Sequence, residues 1–254
     1  MLEYKELEDI ARLKRISLVN AEKDHIQNLI LYSIYSRAGK EFIFKGGTCL
    51  YKIYKLNRFS EDLDFTLTER KNTEQFAQKI LYDLSLFNVN GVIKEIKEHK
   101  TDINIRLLFK GPLFKGGKET QCFIPLNISL KEKASLEPVK KQIISLYSEI
   151  NNFEVFAMQD KEILSEKVRA ILTREKPRDV YDLWFLLNIG TGIDFHLINE
   201  KLKLYNKSFD FDDFFNAISR KRNLWDLDLK NLIINDLPDF NNVYKEILSR
   251  FKLK

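Results

Sequence analysis

Lys45-Gly46-Gly47-Thr48-Cys49-Leu50, followed by Phe59-Ser60-Glu61-Asp62-Leu63-Asp64-Phe65, is the part of this sequence that fixes how the rest is read. A short apolar run, Phe42-Ile43-Phe44, leads into it, and Leu50, Ile53 and Tyr54 suggest a short helix after the glycines. Paired glycines let a ligand come close to the backbone, and a helix start offers free N–H groups to an anion. Gly46 and Gly47 therefore read as a phosphate cradle, with Thr48 adding a hydroxyl donor. Asp62 to Leu67 alternates polar and apolar, like a half-buried strand. Alternation places Asp62, Asp64 and Thr66 on one face and Leu63, Phe65 and Leu67 on the other. Adjacent carboxylates repel unless a cation lies between them. Mg²⁺ or Mn²⁺ takes carboxylate oxygen and usually binds substrate phosphates as well. A cradle beside an Asp pair is the apparatus of metal-assisted phosphoryl or nucleotidyl transfer. An isolated Asp-x-Asp is commonly a solvated face and an isolated Gly-Gly a turn; their order and spacing here favour a site.

Outward from this stretch, residues 3–37 carry apolar residues at helical spacing, with a break near Ser17–Asn20 and an end at Gly39. Thr73 to Phe87 reads as a helix. Asp102–Phe109 and Gln121–Leu130 alternate as strands, and the turn-rich segment from Lys110 to Lys118 between them suits a hairpin. After about residue 155 the spacing is helical to the end, with breaks near Pro177, Gly190-Thr191-Gly192 and Pro238. The expectation is an α/β domain with a mixed sheet over 1–155 and an all-helical domain over 156–254, with the active site in the cleft between them.

Composition narrows the class. The chain has 254 residues, 44% apolar and 31% charged, with 19 Phe and 10 Tyr, so a packed core is expected and disorder is not. The 42 Lys and Arg against 37 Asp and Glu give +5, which permits a polyanionic partner without demanding one. Cys49 and Cys122 both sit in apolar runs and read as reduced core thiols. No window approaches a spanning helix, so a soluble cytoplasmic protein without membrane contact is expected. His25, His99 and His196 lack metal-ligand spacing, and no Cys-x-x-Cys indicates structural zinc.

A second informative block lies in the helical half. Lys167 and Arg174 are seven apart and share one helix face, and Pro177 suits the first turn of the next helix. Asp179 and Asp182 share a face there, while Val180, Leu183, Trp184 and Leu187 form a buried stripe. A basic face opposite an acidic one is either a plain salt-bridge network or a phosphate-binding wall.

The first block resembles the opening motif of the nucleotidyltransferase superfamily. Together with Glu166-Lys167-Val168-Arg169-Ala170, Arg174 and Lys176-Pro177-Arg178-Asp179-Val180-Tyr181-Asp182-Leu183, it resembles the AbiEii toxin family of type IV toxin–antitoxin and abortive-infection systems. The resemblance spans roughly residues 40–190 and implies a nucleotidyltransferase fold. It implies transfer of a nucleoside monophosphate from an NTP to an acceptor hydroxyl, with a tRNA 3′ end as the acceptor and a cognate antitoxin as partner. Asp62 and Asp64 would hold Mg²⁺ or Mn²⁺. Lys167, Arg174 and Arg178 would bind phosphates, and Asp179 or Asp182 would orient them or activate the acceptor. One departure stands out: the strand expected to carry a third acid reads Phe123-Ile124-Pro125-Leu126-Asn127-Ile128-Ser129. An amide cannot serve as a carboxylate base. Three explanations are open: a two-carboxylate site with Asp179 as base, an acid supplied by Asp102 or Glu132, or a weakened enzyme acting as a nucleotide or RNA binder. Transfer to a protein hydroxyl is the rival within enzymes.

Overall fold

The computed structural model describes residues 2–68 and 72–252. Helices α1 (Tyr4–Lys14) and α2 (Leu18–Tyr35) precede β1 (Phe42–Lys45), α3 (Gly46–Ile53), β2 (Leu63–Leu67) and α4 (Thr73–Ser85). Strands β3 (Asn90–Glu98), β4 (Asp102–Lys110), β5 (Cys122–Ser129), β6 (Val139–Ile143) and β7 (Phe153–Ala157) complete one sheet. Helices α5 (Asp160–Thr173), α6 (Pro177–Asn188), α7 (Phe195–Lys203), α8 (Phe211–Arg220), α9 (Trp225–Leu229) and α10 (Phe240–Lys252) follow.

The sheet runs β3-β4-β5-β2-β1-β7-β6 and is mixed. β2 lies parallel to β5 and antiparallel to β1, while β1 and β7 are parallel. The alternating strands appear as the sequence predicts, because their apolar residues have a core to face. Ile103, Ile105 and Leu107 of β4 and Leu126 and Ile128 of β5 are all buried. Each such side chain contributes about 1.5–3 kcal/mol when removed from water. Three strands are additions to that expectation. β3 and β6 are the sheet edges and read as charged segments, Asn90-Gly91-Val92-Ile93-Lys94-Glu95-Ile96-Lys97-Glu98 and Val139-Lys140-Lys141-Gln142-Ile143, whose lysines suit unpaired edges. β7 runs across residue 155, so the strand signal continues two residues past the expected boundary.

The break near Ser17 is an N-cap: the Ser17 hydroxyl accepts from the Asn20 N–H, 3.2 Å. Buried apolar side chains from the sheet and from the C-terminal helices form one continuous core. The halves are also stitched by backbone, since Phe59 N–H donates to the Leu232 carbonyl (2.7 Å) and Ile234 N–H to the Asn57 carbonyl (3.2 Å). Both cysteines are buried and free. Among the described residues no helix is long and apolar enough to cross a membrane.

Candidate active site

The site is assembled where β1 turns into α3. Gly46 opens the helix at φ +75°, a left-handed conformation that disfavours any side chain. A Cβ there would lie 2.3 Å from Asp64 Oδ2, so the glycine is what allows that carboxylate its position. Gly47 is used differently. It is buried, and a Cβ on it would meet Arg58 Nη2 and Ser60 Oγ, each at 2.7 Å. Thr48 is fully buried and its hydroxyl donates to the Asp62 carbonyl, tying the helix start to the entry of β2. That bond uses the Thr48 hydroxyl within the protein.

Asp62 and Asp64 are both half-buried. Asp62 stands just ahead of β2, in a loop held by the buried Gln27, whose Nε2 donates to the carbonyls of Ser60 (3.0 Å) and Glu61 (2.9 Å). Burial pushes the Asp62 carboxyl up from its ordinary range, and the neighbouring charge of Asp64 adds to this, with Arg178 pulling the other way. Asp64 is paired in register with Lys45 on β1 and Asn127 on β5. Asn127 Nδ2 donates to Asp64 Oδ1 at 2.9 Å, and Arg106 Nη1 donates to Asn127 Oδ1 at 2.9 Å. The strand predicted to carry a third acid is therefore beside the pair, with an amide at that position.

The two other carboxylates that could fill that role sit differently. Asp102 on β4 pairs with Ser129 on β5, so it is two strands from Asp64 and two residues along, roughly 12 Å by strand spacing. It accepts from Asn104 Nδ2 (2.7 Å) and Thr101 Oγ1 (2.9 Å). Glu132 is buried and accepts from Lys45 Nζ (2.8 Å), Arg169 Nη2 (2.7 Å) and Tyr205 Oη (2.6 Å). Burial alone would raise its carboxyl, but Lys45 and Arg169 outweigh burial and hold it low.

A cavity of about 380 Å³ lies over Asp64, while Asp62 is outside its lining. Lys45, Gly46, Asp64, Asp102 and Asn127 line the sheet side, and Glu166, Lys167, Arg169 and Arg174 line the side of α5. The basic and acidic faces predicted on α5 and α6 do meet. Lys167 Nζ reaches Asp179 Oδ1 (3.0 Å) and Asp182 Oδ2 (2.7 Å). Arg174 grips Asp179 with Nε (2.7 Å) and Nη2 (2.8 Å). Asp179 is fully buried, and although burial alone would raise it, Lys167 and Arg174 hold it below the carboxylate range. A carboxylate spent on two cations is a poor proton acceptor, which argues against Asp179 as a base. Arg178 is half-buried at the start of α6, where its charge reaches Asp62 and its N–H donates to Asp228 Oδ2 (3.2 Å).

The model of the nucleotidyl transferase AbiEii toxin family, type IV TA system, matches residues 29–247. The chain belongs to this family. As a member of the AbiEii family it is a nucleotidyltransferase of the toxin–antitoxin class. Protein aq_aa25 of Aquifex aeolicus is 26% identical over 214 residues, covering 84% of this chain and 86% of that protein. MenT4, a nucleotidyltransferase toxin from Mycobacterium tuberculosis H37Rv, superposes with a TM-score of 0.70 at 16% identity, covering 96% of this chain and 88% of that one. A candidate nucleotidyltransferase from H. pylori gives 0.62 at 21% identity, covering 91% and 92%. The last two likenesses concern the fold.

Several residues of this AbiEii-family site carry no signal that the motifs alone could rank. Arg58 is 2% exposed and donates bidentately to Asp182 through Nε (2.6 Å) and Nη2 (2.7 Å). Its one sequence clue is a charge between Leu56 and Phe59, apolar neighbours that both bury. Lys45 stands inside the quoted motif, yet its role emerges only in three dimensions, where its Nζ lies 2.8 Å from both Glu132 and Glu166. Tyr205 belongs to no motif.

Gly46→Ala tests the cradle. A methyl at 2.3 Å from Asp64 Oδ2 in a left-handed backbone should destabilise the fold by about 1–3 kcal/mol. It should also lower nucleotidyl transfer by at least about tenfold through displacement of Asp64. Thermal unfolding and a labelled-nucleotide assay measure both. Wild-type values in the two would show that Gly46 does not support Asp64.

Proposed function

We propose that this AbiEii-family chain transfers a nucleoside monophosphate from an NTP to an acceptor hydroxyl at a tRNA 3′ end, using a divalent cation, and that a cognate antitoxin restrains it. The observation that carries the reading is the cavity in which Asp64, open beside Gly46, faces the cationic wall of α5. The tRNA acceptor and the antitoxin are supported by the family resemblance.

The residues present suit Mg²⁺ or Mn²⁺. Asp62 and Asp64 are hard oxygen donors, Asn127 bonds to Oδ1 of Asp64, and Gly46 places no side chain against Oδ2. When bound, such a cation neutralises triphosphate charge and polarises the phosphorus under attack. The chain's own groups do the positioning. The start of α3 presents backbone N–H groups to phosphate oxygen. Asn127, braced by Arg106, holds the Asp64 carboxylate in one orientation. Lys167 and Arg174 place positive charge along the cavity, with Asp179 and Asp182 fixing their geometry. In this reading Asp179 is a positioning residue. The acceptor oxygen bonds to the α-phosphorus as the bond from that phosphorus to the oxygen bridging to the β-phosphate breaks; pyrophosphate leaves with the electron pair, and the hydroxyl proton passes to water.

Incubation with each α-labelled NTP and total RNA, beside an Asp62→Ala/Asp64→Ala variant, tests this. Label in the tRNA fraction that vanishes in the variant is the expected result. Label in protein instead would replace the acceptor, and no label with any NTP would overturn the reading.

Asp62 gives a second expectation. Its carboxyl is raised in the folded state, so its ionised form is disfavoured there. The stability it contributes is present below the ordinary carboxylate pKa and is lost as pH rises through the raised one. Asp62→Asn should therefore melt a few degrees higher than wild type at neutral pH without metal. That advantage should shrink in acid, and Mg²⁺ should stabilise the variant less than the wild type. A variant that melts lower than wild type at neutral pH, or gains equally from Mg²⁺, would contradict the placement of Asp62.

A further inference from the structure

Strands β3, β4 and β5 bury one face against α2 and α4 and leave the other largely open. Along β5, Ile124, Leu126 and Ile128 are buried, while Phe123, Asn127 and Ser129 project to the opposite side, where the Phe123 side chain is 37% exposed. The open face is continuous with the reacting centre. Asn127, which donates to Asp64, and Arg106, which donates to Asn127, both lie on it. Phe123 precedes Asn127 by four residues on the same strand, so its ring stands roughly 13 Å along β5 from the groups around Asp64.

The surroundings of that ring are built for more than solvent. Cross-strand pairing sets Leu108 beside Phe123 and Val92 beside Leu108, an apolar row that ends at the sheet edge, where Val92 is 52% exposed. The register of β3 slips between Ile93 and Glu95, and Lys94 sits at the slip with its Nζ 5.3 Å from the centroid of the Phe123 ring. A bulge of this kind re-aims a side chain beside a site. Beyond the end of β4, Lys110 Nζ lies 5.3 Å from the centroid of the Phe114 ring, so a second cation and a second ring follow the first.

Charge selects the occupant. Lys97 is paired with Glu95 (2.9 Å), whereas among the described residues no carboxylate is bonded to Lys94, Arg106 or Lys110. Asp64 and Asp102 stand at the opposite end of the face from Lys94 and Lys110. Cations beside aromatic rings hold single-stranded nucleic acid, because a base stacks on the ring and its phosphate meets the cation. A strand whose terminal hydroxyl reaches Asp64 would carry its preceding bases toward Phe123.

We propose that the open face of β3, β4 and β5 carries the single-stranded 3′ end of the acceptor RNA, with one base stacked on Phe123 and its phosphate at Lys94. This rests on RNA being the acceptor.

Fluorescence anisotropy of a labelled single-stranded RNA of about eight nucleotides and mixed sequence, titrated with the intact protein, tests it in wild type, Phe123→Leu, Phe123→Trp and Lys94→Gln. Phe123→Leu should weaken RNA binding by about tenfold, while Phe123→Trp, which keeps a stacking ring, should bind at least as tightly as wild type. Lys94→Gln should weaken binding at low salt and reduce the slope of log affinity against log salt by about 0.7, the share of one phosphate contact. Calorimetric titration with α,β-methylene NTP analogues should give one affinity across all four proteins, since neither Phe123 nor Lys94 lines the nucleotide cavity. Melting curves establish that each variant is folded, and the Trp and Gln variants keep the comparison informative if the Leu variant does not fold. RNA affinity unchanged by both Phe123→Leu and Lys94→Gln would give this face to a protein partner or to none and overturn the proposal. Loss of NTP-analogue affinity in step with RNA affinity would overturn it as well. The transfer assay with total RNA separates the two levels. Wild type that labels protein and no RNA overturns the acceptor reading and this proposal together; wild type that labels RNA, beside variants that keep its RNA affinity, overturns this proposal alone.

Discussion

Asp64→Asn should lower nucleotidyl transfer by on the order of 10³-fold in a protein that stays folded. The substitution keeps the shape of the side chain and removes its charge. It preserves a partner for Asn127, whose Nδ2 donates to Asp64 Oδ1, and the packing against Gly46 is unchanged. The lost group is the carboxylate that lines the cavity beside the start of α3. Single-turnover rates with the preferred labelled NTP measure the effect, and a melting curve separates it from unfolding. Melting within a few degrees of wild type with a rate reduced by less than about tenfold would remove Asp64 from the reacting centre.

Arg58→Met should cost more stability than Gly46→Ala or Asp64→Asn. Arg58 and Asp182 are both buried, and the pair is bidentate. Removing one member of a buried ion pair leaves the other charge uncompensated and costs about 3–5 kcal/mol. For a chain of this size that corresponds to a fall in melting temperature of roughly 10 °C. Asp182 would retain Lys167, so the cost should sit toward the lower part of that range. Replacing the pair together, Arg58→Met with Asp182→Leu, should recover part of the stability because no charge is stranded on the Arg58 side. Urea unfolding of the two variants beside wild type measures the difference. A single variant that loses less than about 1 kcal/mol would show that Arg58 is solvated rather than locked.

The sequence carries much of this arrangement because the parts that make it obey short-range rules. Gly46-Gly47 and the spacing of Asp62 and Asp64 are local, and the turn into α3 follows from them. The alternation of β4 and β5 is equally direct, since each buries one face. The edge strands β3 and β6 were not legible because their pattern is set by a neighbour and by solvent, and charged residues on an edge look like loop. Thr48 illustrates a different limit. A hydroxyl beside a helix start can donate to a phosphate or to its own protein, and the choice depends on Asp62, fourteen residues away, presenting a carbonyl. Arg58, Lys45 and Tyr205 have partners more than seventy residues distant, and no spacing within one helix or strand encodes such pairs. The meeting of the acidic face of α6 with Lys167 and Arg174 was legible; that Arg58 joins it was not.

The stitching of the loop before Asp62 also sets when the site can exist. Asn57, Arg58 and Phe59 are held by Asp182 and by the segment at Leu232–Ile234, which the ribosome delivers long after the glycines and the Asp pair. Domains order as their contacts become available, and contacts between distant parts of a chain form last. A growing polypeptide that already holds Gly46, Asp62 and Asp64 therefore lacks the partners of the loop before Asp62 until Asp182 and then residues 232–234 are made. The order of synthesis thus brings the braces of that loop into being after the glycines and the Asp pair they support, and the site takes its shape late for residues that occur so early in the chain.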